Sequence, residues 1–364
     1  MESLNINQKT LLWLSAAGIS NNKISKLLDY FGSPQDLWDN FESEKYNLSF
    51  LKTDRINKLS ESKNDFEAKI LGRLNSEKAE AVTIFDEDYP EKLKQISGYP
   101  YVLYYKGSLD YINNISVAIV GSRKATNYGK WAAEKLTKEL SEINVNIVSG
   151  LAVGIDAIAH KTALKYDAKT YGIIGCGINV VYPKKNLELF KQISDNKGAV
   201  ITEYNFDIQP VAYNFHDRNR IISGLSDGVL VVEAQEKSGT LITVGHAANQ
   251  GREIFAVPGN IDSLYSKGTN ALIRDGAKIT TSINDIVEEI LELKERVKLQ
   301  KACDTSALTD DELKIINCIK TGKNTIDELR QEIKMDTGEL LGNITLLEMK
   351  GAIRINGNKI MPGV

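Results

Sequence analysis

The sequence has few of the residues that build metal centres and disulfide frameworks. Its 364 residues include only three cysteines and three histidines. Because the cysteines are odd in number and widely separated, they indicate reduced thiols in a cytoplasm. Neither residue type shows metal-ligand spacing, so we predict no zinc, no other metal and no cofactor. The residues concerned are Cys176, Cys303, Cys318, His160, His216 and His246.

Long hydrophobic runs and a strong net charge are also missing. The apolar run at residues 11–18 is too short for a signal peptide or a membrane span, and no basic segment precedes it. We therefore expect a cytoplasmic protein with no membrane partner. The formal net charge of −3 excludes a globally basic nucleic-acid coat. Any nucleic-acid site must be a local patch.

Length and patterning predict several domains in an ordinary soluble chain, with 42% hydrophobic and 26% charged residues. Residues 1–80 contain short segments with helical periodicity, and they predict a compact helical module for packing or protein contacts. Residues 299–308 form a predicted linker. Residues 309–364 predict three helices and a β-hairpin around Asn356-Gly357, which is typical of a winged helix.

The middle of the chain, residues 81–298, predicts an α/β core. Over residues 115–281, apolar strands alternate with helical segments, and strands without polar alternation are typical of sheets covered on both faces. Right-handed crossovers through the helices give a doubly wound parallel sheet of the Rossmann-like type. The predicted strands are SVAIVG, NVNIVSG, TYGIIG, GAVITE, GVLVVEA and EIFAVPG, with VLYYKG as a further strand before them.

Four loops at strand carboxyl ends predict an anion site, because these ends meet at one edge of a doubly wound sheet. Free backbone N–H groups at helix N-termini favour a negative charge there. Two arginines in a predicted turn that opens a helix indicate that the anion is a phosphate. The candidate residues are Ser122 and Arg123 after the first strand, Ser149 and Gly150 after the second, Gly175, Gly177, Lys184, Lys185 and Asn186 after the third, Ser238, Gly239 and Thr240 beyond the fifth, and Arg218 and Arg220 in the turn.

Two assignments at this edge have alternatives. Arg123, on the first strand-to-helix turn, is the strongest candidate, although it could instead form a salt bridge with Asp156 or Glu203. Aromatic residues flank the arginine-rich turn, and bases of a single strand stack on aromatic rings while phosphates pair with cations. Phe215 among them could equally be a core anchor. The flanking residues are Tyr213, Phe215 and His216.

No catalytic residue is predicted. Asp156 and His160 lie at i and i+4 and could form an oriented base, but a helix-capping Asp with a packed His is favoured. No serine or cysteine nucleophile completes the set, and Cys176 fits a tight loop. Glu233 could hold a ribose hydroxyl or, as is favoured, a positive neighbour.

These motifs together resemble the DNA-processing protein A family, also called DprA or Smf. The resemblance covers essentially the whole chain and is strongest over residues 89–281. It rests on YPEKL, GSRKATNYG, SGLAVGIDAIAH, GCGINVVYPKKN, ITEY, RNRIISGLSDGVLVVEA, SGTLIT, GREIFAVPG and GTNALI.

The resemblance implies an extended Rossmann-like core with an N-terminal sterile-alpha-motif-like helical domain and a C-terminal winged helix. It implies a homodimer that binds single-stranded DNA, protects incoming strands in natural transformation and loads the RecA recombinase. Carried over by motif, the phosphate contacts are Ser122, Arg123, Lys184 or Lys185, Arg218 and Arg220.

Two segments depart from the family pattern. Phe215-His216-Asp217 stands where Phe-Pro is usual, and Asp217 could cap the helix while adding a negative charge. Asn205 to Ile208 replaces a Gly-Pro-rich segment.

The alternative function is a nucleotide-processing enzyme of the nucleoside monophosphate phosphoribohydrolase type. Such enzymes carry a Pro-Gly-Gly-x-Gly-Thr-x-x-Glu loop, whereas this chain has EKSGTLIT without the glutamate. A dinucleotide oxidoreductase is weaker still, because no complete G-x-G-x-x-G motif follows a strand.

Overall fold

The predicted alternation of strands and helices is present in the computed structural model, which describes residues 4–196, 198–302, 309–320, 323–333, 335–349, 352–356 and 359–362. The chain divides into two compact units, residues 1–285 and 286–364. The finer boundaries at residues 80, 298 and 308 stay predictions. Cys303 and the second half of the predicted linker lie outside the described residues.

The helices follow the order that the sequence patterns predict. They are α1 Ile6–Ala16, α2 Asn21–Phe31, α3 Pro34–Glu44, α4 Thr53–Ser62, α5 Phe66–Glu77, α6 Glu91–Lys94, α7 Asn127–Glu142, α8 Ile155–Lys165, α9 Leu187–Asp195, α10 Ala212–Gly224, α11 Thr240–Asn249, α12 Lys267–Arg274, α13 Ile283–Glu289, α14 Leu291–Ala302, α15 Asp310–Lys320, α16 Ile326–Ile333 and α17 Thr337–Met349.

The strands include every one predicted above. They are β1 Glu80–Thr83, β2 Val102–Gly107, β3 Ser116–Val120, β4 Asn146–Ser149, β5 Thr170–Ile173, β6 Ala199–Thr202, β7 Gly228–Val231, β8 Glu253–Ala256, β9 Lys278–Ile279, β10 Ile353–Asn356 and β11 Lys359–Pro362.

Capping residues set the ends of the N-terminal helices. Ser33 caps α3 by accepting a hydrogen bond from the backbone N–H of Asp36, with Pro34 in the first helical position. Gly32 ends α2 in a backbone conformation of φ +87°, which favours glycine. Trp13 lies fully buried and meets Phe41 edge to face, 5.0 Å between ring centroids. These helices thus pack on one another and share a hydrophobic cluster with the sheet.

One sheet runs in the order β1-β2-β6-β5-β4-β3-β7-β8-β9. The strands from β6 to β9 pair in parallel, but β2 pairs antiparallel with both β1 and β6. The parallel sheet predicted over residues 115–281 is present, whereas β2, whose direction was not predicted, runs antiparallel to its neighbours. The physical reason is the eight-residue link between β2 and β3, which is shorter than the dozen or more residues that a parallel crossover needs.

Helices cover both faces of the sheet. Neighbouring residues of a strand point to opposite faces, and Val200 and Ile201 of β6 belong to two different hydrophobic clusters. Val200 packs in the cluster that contains Ile193 of α9, while Ile201 packs in the cluster that contains Ile221 of α10. Burial on both faces explains why the central strands are apolar without alternation.

The chain leaves β3 in both directions along the sheet, toward β4, β5 and β6 on one side and toward β7, β8 and β9 on the other. A crevice opens at such a switch point, outside the carboxyl ends of the strands. The loops that follow β3, β4, β5 and β7 therefore lie at one edge, which we call the loop edge.

The second unit has its own small core. Helices α15, α16 and α17 pack with the β10–β11 hairpin around Ile315, Leu329, Leu340, Leu347 and Ile360. This is the helix–helix–helix–hairpin order predicted from the sequence, although residues 357–358 of the predicted turn lie outside the described residues. In the part of the chain that the structure covers, no helix is long and apolar enough to cross a membrane.

Candidate nucleic-acid interface

Arg123 is an exposed cation on the first loop of the loop edge, next to the exposed Lys124. Within the described ranges it forms no ion pair with Asp156 or Glu203, the alternative left open by the sequence. Glu203 instead pairs with Arg220 at 2.6 Å, and Asp156 accepts from the backbone N–H of Gly150 at 3.2 Å. Arg123 is therefore available to an external anion.

The backbone of the loop that carries Arg123 packs directly against Gly154. At Gly154, with φ +87°, a Cβ atom would lie 2.3 Å from the carbonyl oxygen of Ser122 and 2.8 Å from the Cα of Arg123. Ile155 also donates its backbone N–H to the same Ser122 oxygen at 3.2 Å. Sequence reasoning did not single out Gly154, although the glycine in SGLAVGID was a signal for it.

Hydrogen bonds to Glu233 fix the end of the same loop. Its buried carboxylate accepts from the backbone N–H of Thr126 at 3.0 Å and from the Thr126 hydroxyl. Thr126 is the N-cap of α7, where a negative charge is favourable. The positive neighbour favoured for Glu233 from the sequence is not its partner here, since its hydrogen bonds come from a neutral helix cap.

Arg218 and Arg220 differ most from expectation. The sequence predicted a turn that opens a helix and contacts phosphate, but both residues lie inside α10 and are buried, 5% and 8% exposed. Arg218 donates from Nη1 to the carbonyl oxygen of Gly150 at 2.9 Å and to that of Ile173. It thereby joins the loop after β4 to the end of β5.

The charge of Arg218 is balanced inside the protein. Burial lowers its pKa to about 10, and the nearby Asp156 carboxylate opposes that shift. Asp156 also accepts backbone hydrogen bonds from Gly150 and Ala152, at 3.2 and 3.3 Å. Because all of these partners lie inside the protein, Arg218 stabilises the fold and does not itself present a charge to a ligand.

Arg220 forms a second buried pair. Burial raises the pKa of the Glu203 carboxyl, whereas Glu203 and Asp217 raise the pKa of Arg220 against the opposing effect of burial. Because Oε2 of Glu203 accepts from both Arg220 (2.6 Å) and Asn21 (2.7 Å), the geometry fits a charged pair. This pair links α2 of the N-terminal layer to α10.

Several other predicted site residues are buried parts of the same scaffold. Ser149 donates its hydroxyl to Ile119, and Asn186 donates its amide to the carbonyls of Leu151 and Ala152. The backbone N–H of Gly177 donates to Ile208 at 2.8 Å, so it is not free for a phosphate. Gly175 is buried against Phe215, where a Cβ atom would lie 3.0 Å from the ring.

The exposed predicted residues form the outer surface of the loop edge. Lys184 and Lys185 are both exposed on the loop after β5. Beside them, Tyr182 lies 5.4 Å from Phe215 between ring centroids and is 46% exposed. Ser238, Gly239 and Thr240 stand at the start of α11, where Ser238 accepts from the backbone N–H of Thr240 at 3.2 Å.

Two residues near the loop edge whose side chains are of catalytic types, His160 and Cys176, are both buried. His160 is fully buried, its Nδ1 lies 2.7 Å from the Thr170 hydroxyl, and burial lowers its pKa to about 3. Burial raises the pKa of the Cys176 thiol to about 11. These groups are a packed histidine and a packed thiol, as the sequence indicated.

The sequence profile of one family, DNA recombination-mediator protein A, matches residues 80–291. The chain belongs to this family. Two curated members are similar to it: DNA processing protein DprA of Streptococcus pneumoniae, 44% identical over 58% of this chain and 75% of that protein, and Protein Smf of Escherichia coli, 41% identical over 56% of this chain. The match spans only 54% of the length of the Smf protein.

Two solved structures of DNA processing protein A are also similar to this chain. The Streptococcus pneumoniae protein matches with a TM-score of 0.67 and 36% identity, over 79% of this chain and 99% of that one. A Helicobacter pylori protein matches with a TM-score of 0.53 and 29% identity, over 58% and 96% respectively. The latter structure was described for its single-stranded DNA binding mode.

The departures of this chain from the family pattern have structural explanations. Asp217 does not cap α10, as had been considered, but lies within the helix, 3.5 Å from Arg220, which compensates its charge. In the 205–208 segment, Phe206 is buried and Asp207 pairs with Arg73 of α5 at 2.6 Å. The replaced segment thus attaches the N-terminal helices to the sheet.

Proposed function

We propose that this protein is a non-enzymatic single-stranded DNA-binding protein of recombination, and that the loop edge is its binding site. The observation that carries the proposal is Arg123, exposed and without an ion pair within 4.0 Å in the described ranges, on a loop fixed by Gly154 and Glu233. The binding mode described for the Helicobacter pylori relative supports it.

The neighbouring side chains favour a single strand over a duplex. Lys184 and Lys185 provide further exposed cations, and Tyr182 with Phe215 provides aromatic rings beside them. Phosphates pair with cations and unpaired bases stack on rings, whatever their sequence. The proposed phosphate contacts are therefore Ser122, Arg123, Lys184, Lys185 and the 238–240 loop, with Arg218 and Arg220 as their internal support.

The resemblance to the family motivates a proposal for the assembly and the wider role. We propose a homodimer, which protects incoming DNA and loads the RecA recombinase in natural transformation. Exposed apolar side chains occur near the β9 end of the sheet, namely Ile261 at 91%, Leu264 at 62% and Ile279 at 47%. Together with the half-buried run Ala271 to Ile273 they offer a surface for a second copy. Sedimentation of the intact chain as a monomer at micromolar concentration would reject the dimer.

For the two flanking regions we propose the folds that the resemblance implies. The helices α1 to α5 would be a sterile-alpha-motif-like domain, and α15 to α17 with the β10–β11 hairpin would be a winged helix. The β10–β11 hairpin and its three helices have a core of their own, whereas α1 to α5 share one hydrophobic cluster with the sheet.

Binding of labelled single-stranded and blunt duplex oligonucleotides over a range of salt concentrations tests the function. We expect tighter binding to the single strand, and a steep loss of affinity with salt because phosphate contacts release counterions. Equal or tighter binding to the duplex would refute the proposal.

Two variants and one enzyme assay sharpen the test. Arg123→Ala should weaken single-strand binding by about 1–3 kcal/mol, as for a lost charge-assisted hydrogen bond. Lys26→Ala, which removes an exposed cation of α2, is the control. Hydrolysis of nucleoside monophosphates by the wild-type protein would instead support the phosphoribohydrolase alternative.

A further inference from the structure

A second basic and aromatic surface lies outside the loop edge, in the groove between α7 and α8. The groove has a volume of about 440 Å³ and is lined by Trp131, Lys135 and Lys138 of α7 and by Lys161, Lys165 and Tyr166 at the end of α8. We call it the lysine groove. None of these residues was a candidate in the sequence, and the site proposed above does not use them.

The charge of the lysine groove is only partly compensated. Lys135 and Lys138 have carboxylate neighbours one helical turn away, Glu139 at 3.9 Å and Glu142 at 3.6 Å. Such exposed pairs contribute little and are screened by salt. Glu134 also lines the groove.

The two lysines of α8 have no such neighbours. Lys161 and Lys165 are exposed and, among the residues that the structure describes, form no ion pair within 4.0 Å. They lie four residues apart, so they occupy the same side of the helix. Two uncompensated cations on one helix face favour an anionic ligand with regularly spaced charges.

Aromatic rings accompany these cations. Trp131 is 56% exposed and stacks on Tyr128, with ring centroids 6.0 Å apart and planes at 30°. Lys135 lies over the Trp131 ring at 5.5 Å, and Lys165 lies over the Tyr166 ring at 5.6 Å. An acidic peptide would need only the cations, whereas a nucleic-acid strand uses both charges and ring faces.

Helix α7 runs from the loop edge to the lysine groove. Helix α7 begins at Asn127, four residues after Arg123, and Tyr128 and Trp131 occupy its first two turns. From Tyr128 to Lys138 the helix rises about 15 Å, at about 1.5 Å per residue. That length accommodates about four nucleotides at a spacing of about 3.4 Å along a strand.

From this arrangement we infer that the lysine groove is an extension of the DNA site, along which a single strand leaves the loop edge. The inference rests on the proposed function. Bases stack on Trp131 and Tyr128, and phosphates contact Lys161 and Lys165. A strand that only fills the loop edge does not reach the groove, so its contribution depends on strand length.

The test compares oligothymidylates of about 6 and about 20 nucleotides on the full-length protein, since a short strand fits the loop edge alone. The variant Lys161→Gln/Lys165→Gln removes both cations, and Lys26→Gln/Lys58→Gln removes two exposed lysines of α2 and α4 as a matched control. We expect the groove variant to bind the long strand about tenfold more weakly and the short strand within about twofold of wild type. The salt slope for the long strand should fall by about 1.4, because each phosphate contact on a single strand contributes about 0.7.

A spectroscopic readout locates the strand. Trp131 is exposed, whereas Trp38 is half-buried and Trp13 is fully buried, so a stacked base should quench the emission of Trp131. The difference between wild type and Trp131→Leu isolates that signal. Quenching by the long strand but not by the short one supports the groove.

The outcomes separate the groove from the proposed function. If the wild-type protein binds neither strand, the proposed function fails. If it binds both strands and the groove variant retains wild-type affinity for the long one, only the groove inference fails. An equal loss of affinity for both strand lengths would also overturn it, since the lysines would then attract DNA only through the net charge of the protein.

Discussion

Replacing Arg218 and replacing Arg123 should have opposite consequences, although both arginines belong to family motifs. Arg218 is 5% exposed and donates to two carbonyl oxygens beside the Asp156 carboxylate. Arg123 is exposed and has no such partners in the described ranges. The first substitution should damage the fold, and the second should damage binding.

The magnitude for Arg218 follows from what the substitution leaves behind. Arg218→Met keeps most of the buried aliphatic volume but leaves the Asp156 charge uncompensated and the carbonyls of Gly150 and Ile173 short of a donor. Removing one partner of a buried pair costs about 3–5 kcal/mol. Because native proteins are stable by only about 5–15 kcal/mol, this variant should be close to unfolding. Arg123→Ala should change stability by less than about 0.5 kcal/mol, as exposed substitutions do.

The assay is urea unfolding of both variants, followed by single-strand binding of the folded fraction. Adding Asp156→Asn to Arg218→Met should restore part of the lost stability, because the uncompensated charge disappears; a double-mutant cycle measures that coupling. The reasoning is refuted if Arg218→Met loses less than about 1 kcal/mol of stability yet binds as weakly as Arg123→Ala. Arg218 would then contact the strand itself.

Three further outcomes are expected. Burial lowers the pKa of His160 to about 3, so the stability that it contributes is complete above its unfolded pKa of about 6.5 and is lost as the pH falls toward 3. Near pH 5 the unfolding free energy of the wild type should fall by about 1.4 kcal/mol per pH unit because of this group, and His160→Gln should lack that contribution. An unchanged slope in the variant would show that the imidazole titrates normally. Glu233→Ala leaves the Thr126 donors unpaired and should cost about 1–3 kcal/mol in urea unfolding, whereas the exposed control Glu236→Ala should cost almost nothing. Deleting residues 305–364 should change single-strand affinity by no more than about threefold, well under the tenfold that corresponds to 1.4 kcal/mol, because the 309–364 segment carries nine acids and eight bases; a loss of tenfold or more in a folded protein would contradict this.

The strands of the core were predictable because burial on both faces leaves a direct record in the sequence. Apolar runs such as Val229 to Val231 have no other common explanation, and glycines after them marked the loop edge. The antiparallel direction of β2 was also accessible, since the link to β3 is too short for a crossover. It was missed because VLYYKG by itself carries no sign of direction.

The roles of the two α10 arginines were not predictable from their spacing. Residues at i and i+2 of a helix do not face each other, so Arg218 and Arg220 point to different partners, one to carbonyl oxygens and one to Glu203. Backbone carbonyl acceptors leave no trace in a sequence. Glu233 likewise finds Thr126, more than one hundred positions away, only after the sheet has formed.

The internal ties of the loop edge have a consequence for the kinetics of association. Arg218 joins the loop after β4 to the end of β5, Asn186 of the loop after β5 bonds to the same loop after β4, and Gly154 supports the backbone of Arg123. A surface already fixed in this way needs no ordering step when a strand arrives, so little conformational entropy is lost on binding. Encounter should then be limited by diffusion and by attraction between charges. The observed association rate should rise linearly with DNA concentration without reaching a plateau, and added salt should slow arrival of the strand.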